Sequence, residues 1–379
     1  MGPQTKPTLI KPGKDLQGTD NPWVNYLLKP LGLLAALYIF ILSITLLGDS
    51  FKLFGKDFAE TLLKTTSNPV VGLFIGILST SVIQSSSTTT SIVVGMVAGG
   101  MISIEGAIPI VMGANIGTTI TNTLVSMAHI TRSAEFERAY AGAIVHDVFN
   151  ILTVIVIFPL QLYTNFLSDI ALWLEKIFEN AGGFHFISPI KVITKPVSEM
   201  IIGLLQNSSW ICAIVAIILL FMALKFIVDI MKTLVVTKVE GFFNKFIFKT
   251  TFRSLILGII LTALVQSSSI TTSLVVPLVG AGILTLRQIF PYTLGANVGT
   301  TITAIMASLV TQDVSAVAVA FSHLLFNICG IAIFLPLKKF PIAIAKKLSS
   351  LTLKSRLIPV ITLVLIFFLI PLALIYILR

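Results

Sequence analysis

The sequence predicts an all-α polytopic membrane protein built from two inverted repeats, each with a re-entrant helical hairpin and a broken transmembrane helix. Three observations lead there. The chain of 379 residues is 55% hydrophobic and 11% charged, where a soluble domain has about a quarter of its residues charged, and its mean hydropathy is +0.99. Its apolar runs are long enough to cross a bilayer and are bounded by polar turns. Residues 80–126 also match residues 262–308 at 22 of 47 positions without a gap. That makes the chain one duplicated unit rather than two or three soluble domains.

The formal net charge of +10 falls in particular loops, which is the positive-inside bias of a membrane protein and not a nucleic-acid face. Cys212 and Cys329 lie in separate apolar runs, so neither a disulfide framework nor a zinc spacing is available. No apolar core with a small-residue cleavage pattern precedes Trp23, so insertion is expected to use the first span itself.

The elements follow in order. Residues 1–22 form a polar N-terminal tail, and 23–50 hold the first span, at 28–47. Repeat one occupies 51–163. Phe51, Phe58, Leu62 and Leu63 predict a short helix lying in the interface. The apolar arms 70–83 and 88–99 are about 21 and about 18 Å long at about 1.5 Å per residue. Neither crosses a core of about 30 Å, so they predict a re-entrant hairpin with residues 84–87 at its tip. Residues 106–127 are long enough to span, with Gly113, Asn115, Gly117, Thr118 and Thr119 breaking the helix midway. A charged loop at 129–138 leads to a span at 139–162.

Residues 164–200 read as an extracellular loop. Residues 201–231 hold a span at 210–230, and 232–253 form a basic cytoplasmic linker. Repeat two, 254–337, uses the same parts: arms 255–265 and 270–282, a broken span at 289–309 and a span at 315–337. Residues 338–356 are a cytoplasmic loop with six basic residues and no acidic ones, and 357–379 hold the last span. With both basic stretches in the cytoplasm, repeat two starts and ends inside. With the N-terminal tail inside as well, repeat one starts and ends outside. The repeats are then inverted, and the C-terminus falls outside.

Each copy carries Gln-Ser-Ser-Ser followed by Gly-Ala-Asn-(Ile/Val)-Gly-Thr-Thr-Ile-Thr. Unpaired hydroxyls and amides cost several kcal/mol each in hydrocarbon, so matched runs of them predict a midplane site for a small hydrophilic ligand. One such stretch, with Gly95/Gly99 and Gly113/Gly117 at small-xxx-small spacing, is explained by helix packing. Two copies of a consecutive Gln-Ser-Ser-Ser exceed what packing requires.

Inverted repeats with broken helices meeting at the midplane are a recurrent plan of secondary transporters, in which free N–H groups grip anions and exposed carbonyls coordinate cations. On that plan Ser85, Ser86, Ser87, Ser267, Ser268 and Ser269, with Asn115 and Asn297, are the candidate anion ligands. Gln84, Gln266, Thr89, Thr118, Thr119, Thr271, Thr300 and Thr301 offer the neutral oxygens that sodium favours. Asp147 is the clearest buried ionisable candidate. It adjoins His146 in a span that also holds Asn150, and the second copy has His323, Leu324 and Asn327. A His-xxx-Asn pair one turn apart is equally a hydrogen-bonded brace between helices. So few titratable groups lie inside the repeats that sodium coupling is favoured over proton coupling.

The paired Gln-Ser-Ser-Ser segments, Gly-Ala-Asn-Ile-Gly-Thr-Thr at 113–119, and Glu-Phe-Glu-Arg-Ala-Tyr-Ala-Gly-Ala-Ile-Val-His-Asp-Val-Phe-Asn at 135–150 resemble the type II sodium-dependent phosphate cotransporters. The likeness takes in both repeats. It implies symport of inorganic phosphate driven by the sodium gradient, with Na+ as coupling ion, no other cofactor, and a multi-pass location in the cell membrane. It also implies that residues 84–87 and 266–269 face one another across a shared substrate and ion site. Animal members have a long, cysteine-bridged, glycosylated loop between the repeats. Residues 163–200 here are short and cysteine-free, which points to a bacterial member. Three alternatives stay open: transport of another oxyanion such as sulfate, an ion channel, and an intramembrane enzyme built on His146, Asp147 and His323. Against the last, no nucleophile–base set is recognisable.

Overall fold

The computed structural model describes residues 28–180, 188–231, 248 and 250–378, and the regular elements among them are all helical. The polar tail at 1–22 and most of the basic linker at 232–253 lie outside the described residues. In chain order the helices are α1 (Lys29–Lys52), α2 (Lys56–Thr65), α3 (Pro69–Ile83), α4 (Ser86–Ala98), α5 (Ile104–Gly117), α6 (Ile120–Ser126), α7 (Ser133–Thr164), α8 (Phe166–Asn180) and α9 (Ser188–Leu204). There follow α10 (Ser209–Met231), α11 (Thr251–Val265), α12 (Ser268–Gly280), α13 (Leu286–Thr311), α14 (Val314–Phe334), α15 (Lys339–Ser350), α16 (Ile358–Val364) and α17 (Ile370–Leu378). Among the described residues, seven stretches are long and apolar enough to cross a membrane, each overlapping an expected span. The four shorter apolar helices, α3, α4, α11 and α12, fall where the hairpin arms were expected.

Capping explains why the arms stop where they do. Pro69 and Asn68 start α3, with Val70 N–H donating to the Asn68 side chain; Pro suits a position whose N–H has no intrahelical partner. The first arms end at Gln84 and Gln266, which take left-handed backbone at φ 57° and 58°. A side-chain-bearing residue there is strained, and such strain concentrates at functional sites. Ser85 and Ser267 are extended and cap the second arms. The arms of each hairpin are pinned together by threonines, with Thr80 donating to Thr89 at 3.0 Å and Thr262 paired with Thr271 at 2.7 Å.

The first arms cross the following spans at backbone contact. A Cβ built on Gly76 would overlap the Ile110 carbonyl, and one on Gly113 the Leu73 carbonyl. At equivalent positions in the second copy, Gly258 meets Tyr292 and Gly295 meets Leu255. The second arms leave their own copy: α4 beds against α13, and α12 against α6 and α7. This exchange brings the two hairpin tips together.

Two expectations need correction. Both long spans were expected to break at Gly-Thr-Thr. The first does, between α5 and α6 at Thr118–Thr119, but the second runs unbroken as α13. The threonine hydroxyls do not explain it, since Thr118 and Thr119 donate to Ala114 O and Ile116 O just as Thr300 and Thr301 donate to Ala296 O and Val298 O; the local difference is Asp147 beside Thr119, for which the second copy has Leu324. The segments read as loops at 164–200 and 338–356 also hold helices, α8, α9 and α15. These are amphipathic: α8 buries Leu167 and Ala171 while exposing Asp169, Lys176 and Glu179.

Candidate functional site at the paired hairpin tips

The tips touch directly, with Ser87 Oγ donating to Gln266 O at 3.4 Å. Beside this contact lies a cavity of about 190 Å³ lined by Ser85, Ser87, Thr88, Gln266 and Ser267, with Ile83 and one face of α10. That is ample for more than one water. Ser85 Oγ accepts from Thr88 N at 3.2 Å and from Thr88 Oγ1 at 2.9 Å, and Ser267 Oγ accepts from Ile270 N at 3.3 Å. The amides of Ser86, Ser87, Ser268 and Ser269 belong to first turns that have no intrahelical acceptor, at the positive end of two helix dipoles. Such ends attract oxyanions.

Not every expected ligand reaches this cavity. Ser86, Ser268 and Ser269 are buried in the same turns without lining it. Thr89 and Thr271 bond across their hairpins, and Thr118, Thr119, Thr300 and Thr301 donate back to their own helices. Each keeps oxygen lone pairs free for a cation.

The two glutamines differ. Gln266 is buried; its Nε2 donates to Ala263 O, and Thr303 Oγ1 donates to its Oε1 at 2.5 Å. Gln84 is exposed, and Thr121, the residue matching Thr303, has a buried hydroxyl with no partner.

Asn115 and Asn297 lie deeper, in a buried network that joins the copies. Asn297 Oδ1 accepts from His146 Nε2 at 2.6 Å, and Asn297 Nδ2 donates to Asn150 Oδ1 at 2.7 Å. Asn150 Nδ2 donates to Asn115 O at 2.8 Å, and His323 Nε2 reaches Asn115 Oδ1 at 3.4 Å. His146 Nδ1 faces Asn122 Nδ2 at 3.5 Å, so these partners assign the neutral Nε2–H tautomer. Asp147 stands at the edge of this network, 9% exposed, bonded to Thr119 but with Oδ1 unpartnered. A buried carboxylate without a counterion is costly, so this oxygen suits a cation.

Sequence reasoning gave no individual role to Thr121 and Thr303, which close the repeated Gly-Thr-Thr-Ile-Thr stretch, and missed Asn122 and Thr272. It also missed Lys225, which lines the cavity; a charge inside the apolar run 210–230, with Asp229 one turn on, was the available signal.

A family model described as Na+/Pi-cotransporter matches residues 39–167 and 219–341. The chain is 34% identical to sodium-dependent phosphate transport protein 2A of Ovis aries over 427 aligned residues, which cover 91% of this chain and 67% of the relative. It is 33% identical to sodium-dependent phosphate transport protein 2B of Pongo abelii and of Homo sapiens, over 90% of this chain and 64% of each relative. The chain therefore spans about two thirds of the length of these relatives. No solved structure matches it significantly. The matched stretches include both hairpins, both Gly-Ala-Asn spans and the cavity-facing end of α10, and the chain belongs to the Na+/Pi-cotransporter family, a family of transporters and not of enzymes.

Proposed function

We propose that this protein performs sodium-coupled symport of inorganic phosphate across the cell membrane by alternating access, with phosphate and Na+ bound at the two Gln-Ser-Ser-Ser tips. The observation that supports this most directly is the meeting of the tips, Ser87 on Gln266, beside a shared cavity. Phosphate enters where helix N-termini and hydroxyls converge. Near neutral pH it carries between about one and two negative charges, and bound Na+ supplies the countercharge. Gln84, Gln266 and the threonines provide neutral oxygens for the ions, and the unpartnered Asp147 oxygen offers a further oxygen ligand. Coupling follows when each ligand stabilises the occluded state by binding it better than the open ones. The basic stretches at 232–253 and 338–356 face the cytoplasm in this reading, which orients the two copies oppositely.

The test is uptake of radioactive phosphate into proteoliposomes with and without an inward sodium gradient. Ser87→Ala and Ser267→Ala, which remove hydroxyls from the cavity wall, are expected to abolish sodium-driven uptake while the protein still purifies as a folded species. Full activity in both variants refutes the site assignment. Competition by unlabelled sulfate and arsenate in the same assay separates phosphate from other tetrahedral oxyanions.

A further inference from the structure

One wall of the cavity comes from neither hairpin. Phe221, Leu224, Lys225 and Val228 of α10 close it, spaced i, i+3, i+4 and i+7 on a single helix face. Lys225 is the only charged side chain in the cavity lining. It sits inside an apolar span, with more than a turn of helix still to run before Met231. Among the described residues it forms no ion pair within 4.0 Å, with Asp229 one turn further on or with any other carboxylate.

The geometry points to Lys225 as an anion-binding residue of the transport site, which draws phosphate into the cavity and favours it over neutral solutes. This inference rests on the reading of the cavity as the phosphate site. Two helix N-termini, a set of hydroxyls and one ammonium, with no carboxylate on the wall, give the cavity a positive potential. A compact ammonium with three donors suits a phosphate that must later leave, since it binds as a point charge and not as a bidentate clamp. The competing account is a lysine that snorkels along apolar surface to reach headgroups. Such a lysine has no reason to affect phosphate.

The experiment uses the full-length protein with Lys225→Gln and Lys225→Arg. Binding of radioactive phosphate is measured in detergent, and half-saturating phosphate, half-saturating Na+ and maximal rate are measured in proteoliposomes. Lys225→Gln is expected to weaken phosphate binding and raise half-saturating phosphate about tenfold, as the loss of one nearby charge at intermediate dielectric predicts. Half-saturating Na+ should change far less. Lys225→Arg should recover most of the affinity.

Unchanged phosphate binding in Lys225→Gln overturns the inference, as does a fall in maximal rate alone. So does an affinity loss that Lys225→Arg fails to recover. If wild-type protein binds phosphate and Lys225→Gln weakens that binding, but no sodium-driven uptake occurs, the inference stands and the transport reading fails. If wild-type protein binds no phosphate, both fail.

Discussion

The two copies share Gln and Thr at matched positions yet use them differently, and a pair of isosteric substitutions measures the difference. Thr303 Oγ1 donates to the buried Gln266 Oε1 at 2.5 Å, whereas the buried Thr121 hydroxyl has no partner. Thr303→Val leaves the Gln266 oxygen buried without its donor, at a cost of about 1–3 kcal/mol. Thr121→Val replaces an unsatisfied hydroxyl by a methyl, so its effect should be near zero or stabilising by up to about 1 kcal/mol. Thermal unfolding of both purified variants in one detergent, at one scan rate and without ligand, gives the ordering. The scan rate is held fixed because large membrane proteins often unfold irreversibly. Thr303→Val should melt below wild type by a few degrees at most, since about 1 kcal/mol moves the midpoint of a 150–250-residue protein by only about 2–4 °C. Thr121→Val should melt at or above wild type. Equal losses in both variants, or a larger loss for Thr121→Val, would refute the asymmetry.

Gly258→Ala should abolish folded protein, because the added Cβ overlaps the Tyr292 carbonyl at a helix crossing where backbone cannot yield; Gly203→Ala, with nothing near its Cβ, should be harmless. Equal yields of monodisperse protein from the two would contradict the crossing geometry. Glu175 of α8 is 1% exposed and its Oε1 has no partner; burial raises its carboxyl above the ordinary value, Glu179 adds to this and Lys176 opposes it. The folded state thus holds this proton more firmly than the unfolded chain, so the contribution of Glu175 to stability falls as pH rises from the ordinary carboxylate value through the raised one. Glu175→Gln should flatten that part of the melting-temperature profile, and an identical slope in variant and wild type would speak against it.

The spans and hairpin arms were legible because length and apolarity decide them. Arms too short for the bilayer fix the hairpins, and runs such as 210–230 fix the spans. Gln-Ser-Ser-Ser was legible too, since consecutive polar residues in hydrocarbon demand partners. The difference between the copies was not. Gly-Thr-Thr occurs in both, yet the helix breaks only in the first, where Asp147 from another helix faces Thr119 and the second copy has Leu324 at the counterpart position. Gln84 and Gln266 are each followed by three serines, yet only the second folds inward onto its threonine. The helices α8, α9 and α15 were hidden because charges on one face lower the average hydropathy of a segment whose other face is apolar. Lys225 was hidden in the opposite way, as one of two charges, with Asp229, within an apolar average.

The unpartnered buried atoms are unevenly distributed, and this bears on how coupling works. Ser91 Oγ, Asn115 Nδ2, Thr121 Oγ1, Thr123 Oγ1 and Asp147 Oδ1 belong to the first copy, and His323 Nδ1 and Asn327 Oδ1 to α14, which packs against α5. Among the described residues, α11, α12 and α13 contribute none. The second copy, with two such atoms, both on α14, is therefore more nearly satisfied than the first, which holds five in a low-dielectric interior where such groups are expensive. The copies are not independent. Thr272 Oγ1 contacts both Ser268 O at 2.7 Å and Asn122 Oδ1 at 2.9 Å, linking the second hairpin tip to the first copy's α6. An ion or water that pairs the first copy's open atoms stabilises this arrangement more than one in which they are already paired. That difference in affinity between states is what a coupled transporter needs, and here it arises from the same residue types held in two unlike surroundings.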